Sequence, residues 1–182
     1  MSRCPLTNEW GIEVSKGAEW TRYRLPRTAP QRPTSSMDVF TPEKRSEVMS
    51  AIRSRGTKPE LAVERIVRNT LPRWKIVCHP ATIAGRPDIY VPSLRLAIFV
   101  EGCFWHSCPV HGRLPKSNNG YWEEKLRSNV ARDRRVARAL RSQGIGVWHV
   151  WEHSLRKSCL ATTDARLSRR LRSRATEVRS RT

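Results

Sequence analysis

Residues Leu96–His111 read LAIFVEGCFWHSCPVH. The opening residues are apolar without alternation, the pattern of a strand covered on both faces. The run delivers an acid, Glu101, to its end, and Gly102 follows. Cys103, Cys108 and His111 then come at spacings a single metal ion can gather, with Phe104, Trp105 and His106 between the two cysteines. A buried strand ending in a carboxylate, next to a Cys/His loop, is the point that the other segments serve.

On its N-terminal side, Gly85-Arg86-Pro87 is a turn and Asp88-Ile89-Tyr90-Val91 a strand, broken by Pro92-Ser93 from the strand Leu94–Val100. Trp74–His79 reads as one more strand. Before it, Thr57-Lys58-Pro59-Glu60 is a capping box opening a helix. Leu61, Ile66, Val67 and Leu71 recur along that helix at roughly helical spacing until Pro72. Thr41-Pro42-Glu43 starts an earlier helix, with Val48, Met49 and Ile52 on one side. On the C-terminal side, a loop ending in Asn118-Asn119-Gly120 leads into a helix from about Tyr121 to Gln143, stopped by Gly144. Ile145–Trp151 is a fourth strand, and Thr162 to about Ala175 a helical pattern dense in arginine. This order predicts an α/β domain with a mixed central sheet flanked by helices.

Residues 1–36 show no sustained period and carry Pro5, Pro26, Pro30 and Pro33, as expected of a disordered leader. Structure signals begin right after Met37, which makes it an alternative start. One domain is expected over residues 37–160, with an Arg-rich helix or tail over 161–182. Trp10 and Trp20 are candidate anchors for the leader.

Across 182 residues the chain carries 35 Lys and Arg against 16 Asp and Glu, a formal charge of +19. That excess calls for a polyanionic partner, and the preponderance of Arg suits bidentate phosphate contact. A membrane span is excluded, because no apolar run approaches the ~20 residues one needs. There is no signal-peptide pattern either, so the expected compartment is the cytoplasm, at the nucleoid, and the expected state a monomer. The cysteine count is odd, five, with two beside histidines. This reads as metal binding rather than a secreted disulfide framework.

Four sets of residues carry chemistry. Asp88 opens one strand and Glu101 ends the next, so adjacent strands can bring both carboxylates to one edge to hold Mg²⁺. Mg²⁺ there suits phosphodiester hydrolysis. Glu60 is a further acid that the capping box already accounts for. On the helix from Tyr121, Trp122, Leu126, Val130, Ala137 and Leu140 fall within about 80° at 100° per residue. Asp133 lies in the middle of that apolar stripe, and Asn129 at its edge. An inward carboxylate needs a partner; His106 is the candidate, since an Asp-oriented imidazole positions a general acid or base, and an arginine is the structural alternative. Cys103, Cys108 and His111, closed by His153, match the donor set of structural zinc; His106 and His149 are rival ligands. Finally, Phe104, Trp105 and Trp122 lie near this loop in a very basic chain, where planar side chains can stack on or wedge between bases. Trp148 and Trp151 are read as core.

Together these residues resemble the very-short-patch (Vsr-type) mismatch repair endonucleases. The matching text is RSEVMSAIRSRGTKPE, GRPDIYV, IFVEGCFWHSCPVHG, NNGYWEEKLRSNVARDRR and GVWHVWEHSL, spanning about Phe40 to Leu155. The resemblance implies a restriction-endonuclease-like core, catalytic Mg²⁺, structural Zn²⁺, and a nick 5′ to the T of a T:G mismatch in double-stranded DNA. Mismatch-repair proteins are then expected partners. Carried over by position, Asp88 is the main metal carboxylate, His106 the catalytic histidine, Asp133 its orienting partner and Glu60 the upstream acid. The zinc ligands are Cys103, Cys108, His111 and His153. Phe104, Trp105 and Trp122 correspond to wedging aromatics, and Met49 and Ile52 to residues entering from the minor groove. The chain departs from some family members in having Val100-Glu101 where they have Thr-His. Its zinc donors also differ in type, with a Cys and a His exchanged along the loop and His153 in place of a Cys. Two other readings of the same residues are a nuclease of this core without mismatch preference and a zinc-stabilised nucleic-acid-binding module without catalysis.

Overall fold

The computed structural model describes residues 12–14, 55–115 and 118–180. Five strands form one mixed sheet. They are β1 (Ile12–Val14), β2 (Val77–Cys78), β3 (Ile89–Val91), β4 (Leu96–Glu101) and β5 (Gly146–Trp151), in the spatial order β1-β5-β4-β3-β2. β4 and β5 run parallel, from Leu96↔Gly146 to Glu101↔Trp151, and every other pairing is antiparallel. The parallel pair needs a crossover, supplied by helix α2 (Asn119–Ser142). Helices α1 (Lys58–Thr70) and α3 (Leu160–Arg179) complete the order.

Alternation along β4 and β5 divides the sheet into two faces. Leu96, Ile98, Trp148 and Val150 pack with Val63, Ile66 and Val67 of α1 and Leu167, Leu171 and Ala175 of α3. Ala97 and Val147 point the other way and meet Ala137 and Leu140 of α2. The mixed sheet flanked by helices is the architecture the sequence predicts. Trp148 and Trp151 are buried as expected.

Local details follow from the residues. α1 begins with a variant of the capping box: the Glu60 N–H donates to Thr57 Oγ1 at 3.4 Å, and Glu60 accepts in return from the Thr57 hydroxyl at 2.7 Å and from the Gly56 N–H at 2.8 Å. The strand expected over Trp74–His79 contracts to Val77–Cys78, because His79 turns into the left-handed region at φ 46. The strand expected from Leu94 starts at Leu96, after a 3-10 turn over Pro92–Leu94 and Arg95 at φ 45. The Arg-rich C-terminal segment is no appendage, since Leu167 and Leu171 are fully buried and place its apolar stripe in the core. Within the leader, expected to lack regular structure, Ile12–Val14 pairs with Trp148–Val150 and covers an edge whose main-chain groups otherwise stay unpaired. Trp10, Trp20, the helix expected from Thr41, and Met49 and Ile52 on it lie outside the described residues. No described helix is long and apolar enough to cross a membrane.

Two glycines with positive φ differ in what surrounds them. A Cβ on Gly85 (φ +75) would sit 2.3 Å from Val136 Cγ1 of α2, whereas on Gly144 (φ +73) the nearest atom is 3.6 Å away, at the end of Arg95. Gly144→Ala then costs about 1–2 kcal/mol of left-handed strain. Gly85→Ala adds overpacking and costs about 2–4 kcal/mol. Urea unfolding of both variants checks this; equal losses would mean that α2 yields freely at Val136.

Candidate active site and metal-binding loop

The face of the sheet that packs on α2 changes character along β4. At Ala97 it is apolar; two residues beyond Phe99 it ends in Glu101. Asp88 precedes β3 on the same side, and its Oδ2 accepts the Val100 N–H at 2.6 Å. A cleft of about 540 Å³ opens there, lined among others by Glu60, Asp88, Glu101, His106, Asp133 and His149. The sheet edge thus brings together the carboxylates, and α2 brings Asp133, as the sequence predicts.

Glu101 is buried, and it divides its oxygens between two imidazoles. Oε1 meets His149 Nδ1 at 2.6 Å and Oε2 meets His106 Nδ1 at 2.5 Å. Asp133 Oδ2 reaches the same His106 nitrogen at 2.8 Å, while its other oxygen accepts from Arg132 at 3.0 Å. One turn earlier on α2, Asn129 donates to the Trp105 carbonyl at 3.1 Å. The inward stripe of α2 therefore straps the Trp105–His106 segment to the helix at two points.

The charges settle accordingly. Burial opposes a charged His106, but the Glu101 and Asp133 carboxylates hold the imidazole protonated up to about 10. Burial equally opposes ionised Glu101, and the His106 charge and the hydrogen bonds from both histidines more than offset it, holding the carboxyl well below its usual range. Asp88 is different. Burial pushes it up to about 6 in spite of the Val100 N–H, with the negative charge of Glu60 adding to the rise.

Sequence reasoning missed three residues here. His79 lies between Glu60 and Asp88, with Nε2 3.4 Å from Glu60 Oε2 and Nδ1 3.7 Å from Asp88 Oδ1. His149 is buried as a packed residue should be, stacked on Phe99 at 5.6 Å between centroids, yet it also bonds Glu101. Arg132 caps Asp133 from the solvent side. Strand parity was the available signal for His149: it shares a face with Glu101 once the register Phe99↔His149 is known.

The four residues of the Cys/His loop reading lie together. Ligand atoms of Cys103, Cys108, His111 and His153 all lie within 4.8 Å of one another. Cys103 Sγ is 3.2 Å and Cys108 Sγ 3.5 Å from His153 Nδ1, and Cys108 Sγ is 3.8 Å from His111 Nδ1. Zinc bonds of about 2.3 Å to sulfur and 2.0 Å to nitrogen make a tetrahedral S···N edge of about 3.5 Å, so the donor set fits that ion in kind and spacing. A hydrogen bond from Cys103 holds the Cys108 thiol down to about 4 despite burial, and the same pairing pushes Cys103 up. Neither rival histidine joins this cluster; both bond Glu101 instead.

Phe104, Trp105 and Trp122 form one half-buried aromatic cluster, with centroids 5.1 Å apart for Phe104–Trp105 and Phe104–Trp122 and 6.0 Å for the two tryptophans. Tyr121, 57% exposed, packs on Trp122 at 5.3 Å.

Comparison with known proteins identifies the family. A family described as DNA mismatch endonuclease Vsr matches residues 37–111. The type II nicking enzyme V.XorIIP of Xanthomonas oryzae is 42% identical over 132 residues, covering 71% of this chain and 93% of that protein. The type II nicking enzyme V.NaeI of Lentzea aerocolonigenes is 42% identical over 112 residues, 60% of this chain and 68% of that one. The DNA mismatch endonuclease Vsr of Escherichia coli is 36% identical over 121 residues, 65% of this chain and 76% of that one.

The raised Asp88 makes a stability prediction. Between its ordinary value near 3.8 and about 6, the folded protein holds a proton that the unfolded chain has released, so stability falls as pH rises through that window. Asp88→Asn removes this loss and can still accept the Val100 N–H. In metal-free buffer its unfolding temperature should exceed wild type at pH 7.5 and match it near pH 4. A variant no more stable than wild type at pH 7.5 would overturn the burial argument.

Proposed function

Because the chain belongs to the DNA mismatch endonuclease Vsr family, it is a DNA endonuclease, and we propose that it nicks duplex DNA 5′ to the T of a T:G mismatch with Mg²⁺ as cofactor. The observation that carries this reading is the convergence of Asp88, Glu101, His106 and Asp133 on one cleft. Beside that cleft stands the Phe104–Trp105–Trp122 cluster, joined to it through Trp105, the neighbour of His106. The non-catalytic reading of the chain as a binding module does not survive the likeness to nicking enzymes. We read the sheet as a restriction-endonuclease-like core.

In this reading Asp88 anchors the cation, which when bound supplies Lewis-acid stabilisation of the phosphate and of the attacking water. Glu101 faces the same cleft, but its oxygens are committed to His106 and His149. It therefore fixes the histidine and contributes negative charge toward the ion rather than a free ligand. Both carboxylates meet His106 at Nδ1, which leaves Nε2 for the substrate. Protonated at neutral pH, His106 donates to a phosphate oxygen or to the leaving oxygen. The aromatics favour a distorted duplex, because an apolar wedge unstacks a mismatched step most cheaply. Cys103, Cys108, His111 and His153 are proposed to hold a structural Zn²⁺.

The functional test is nicking of labelled T:G and T:A duplexes, with Mg²⁺ or with EDTA. Wild type should nick the T strand of the mismatch only, with Mg²⁺ and not with EDTA; Asp88→Ala should be inactive. Phe104→Ala or Trp105→Ala should lower the rate on the mismatch by about 10–100-fold, the worth of one stacked base. Equal cutting of T:A would replace the repair reading by a nuclease without mismatch preference.

The zinc assignment has its own check by elemental analysis. After dialysis the protein should retain one zinc per chain, and Cys108→Ala should lose it and unfold at lower temperature. Wild type without tightly held zinc would overturn the assignment.

A further inference from the structure

The acid and imidazole groups around the cleft fall into two sets, not one. Glu101, His106 and Asp133 are satisfied by one another. Glu60, His79 and Asp88 form the second set, their ligand atoms within 4.8 Å of one another, and they meet less closely. His79 is 3.4 Å from one acid and 3.7 Å from the other, looser than the 2.5 and 2.8 Å contacts of His106. Only one ring nitrogen of His79 can ligate a given ion. With one ligand atom taken from each residue, the three lie within 4.8 Å of one another, and a small closure brings them to the about 3.0–4.2 Å that ligands at about 2.1 Å around an octahedral ion span.

Three segments bring this set together. Glu60 is held at the start of α1 by the capping box, with its Oε2 also accepting the Gly56 N–H at 2.8 Å. Asp88 is fixed by Val100. His79 is carried there by its positive φ, and its own N–H donates to the Asp88 carbonyl at 3.2 Å, so its main chain is tied to Asp88 while its ring stands beside the Asp88 carboxylate. The two acids face each other with no described Lys or Arg ion pair on either, and the imidazole is the one ring nitrogen donor among them.

We propose that His79 is a ligand of the catalytic cation together with Glu60 and Asp88, making this a mixed nitrogen and oxygen site that takes Mn²⁺ in preference to Mg²⁺. Mg²⁺ is served by oxygen alone, whereas an imidazole donor favours the later divalent ions. The inference rests on the cleft being a cation-dependent nuclease centre, and it assigns to the cation a partner that Glu101, taken up by two histidines, does not provide.

The test is Mn²⁺ and Mg²⁺ binding by calorimetry, with pulsed electron paramagnetic resonance of bound Mn²⁺, on the full chain without DNA. The zinc-loop ligands are left intact. Wild type should bind Mn²⁺ at least tenfold more tightly than Mg²⁺ and show nitrogen coupling to the Mn²⁺ signal. His79→Ala and His79→Asn should both abolish that coupling and bring the two affinities within about threefold, while Asp88→Ala binds neither ion. Persistent nitrogen coupling in both His79 variants, or an unchanged affinity ratio, overturns the assignment and leaves His79 as a link between two acids. Nitrogen-coupled Mn²⁺ in a protein that nicks no duplex would keep the ligand and remove the nuclease reading. Cation-dependent nicking without nitrogen coupling would do the reverse.

Discussion

A carboxylate buried to 3% exposure at the end of a strand is the constraint on which this structure turns. Taken from water without partners, Glu101 would neutralise or unfold its surroundings. It is kept ionised by two imidazoles from different parts of the chain, His106 in the Cys/His loop and His149 in β5. Asp133 then closes the arrangement from α2. One charge therefore couples β4, the loop, β5 and the crossover helix, and removing either acid leaves a buried imidazolium short of a partner. The same requirement sets the polarity of the sheet. One face is packed by α1 and α3 chiefly with apolar side chains, and supplies the hydrophobic burial that supports a charged cluster on the other.

Much of this cluster was legible in the sequence, for a definite reason. Asp133 could be placed because it interrupts a stripe with a fixed angular period, and a period needs no tertiary information. The capping box at Thr57–Glu60, the stop at Gly144, the strand ending at Glu101 and the Cys/His spacing are local in the same sense. His79 and His149 were not legible as site residues because their meaning depends on register. His149 bonds Glu101 only because β4 and β5 run parallel with Phe99 opposite His149. His79 meets Glu60 and Asp88 only because the chain leaves the extended conformation at that residue. Neither the pairing of strands nor a single positive φ at a histidine has a compositional signature. The length of α3 and the pairing of Ile12–Val14 were hidden likewise. An Arg-dense helix looks solvated until its narrow apolar stripe finds a partner, and a three-residue strand has no period at all.

Glu60 illustrates a residue with two duties. As a cap it satisfies donors at the start of α1, which a surface helix would require in any protein. Its carboxylate also stands beside His79 and raises the electrostatic cost of ionised Asp88. A cap is a rigid mounting, since its side chain is held by the main chain of the same turn. A charge that must be present near a reactive centre is better placed there than on a free surface rotamer.

The same economy of placement governs the Cys/His loop. His106 lies between Cys103 and Cys108, and Cys103 follows Glu101 by two residues. The Cys103 N–H also donates to Glu152, next to His153. Gathering Cys103, Cys108, His111 and His153 around one point therefore fixes both ends of the short segment that carries Phe104, Trp105 and His106. Asn129 and Asp133 fix its middle from α2. A loop of that length with polar main chain would otherwise sample many conformations, at about 1–2 kcal/mol of ordering per residue. Here its ends are drawn together at the Cys/His cluster, and its centre is aligned by a helix packed through the apolar contacts of Ala137 and Leu140. Phe104, Trp105 and His106 are consequently fixed relative to one another. Trp105 and His106 are thereby held at a set distance from one another, so that in the proposed function a base step stacked on the aromatics would stand at a fixed distance from the histidine.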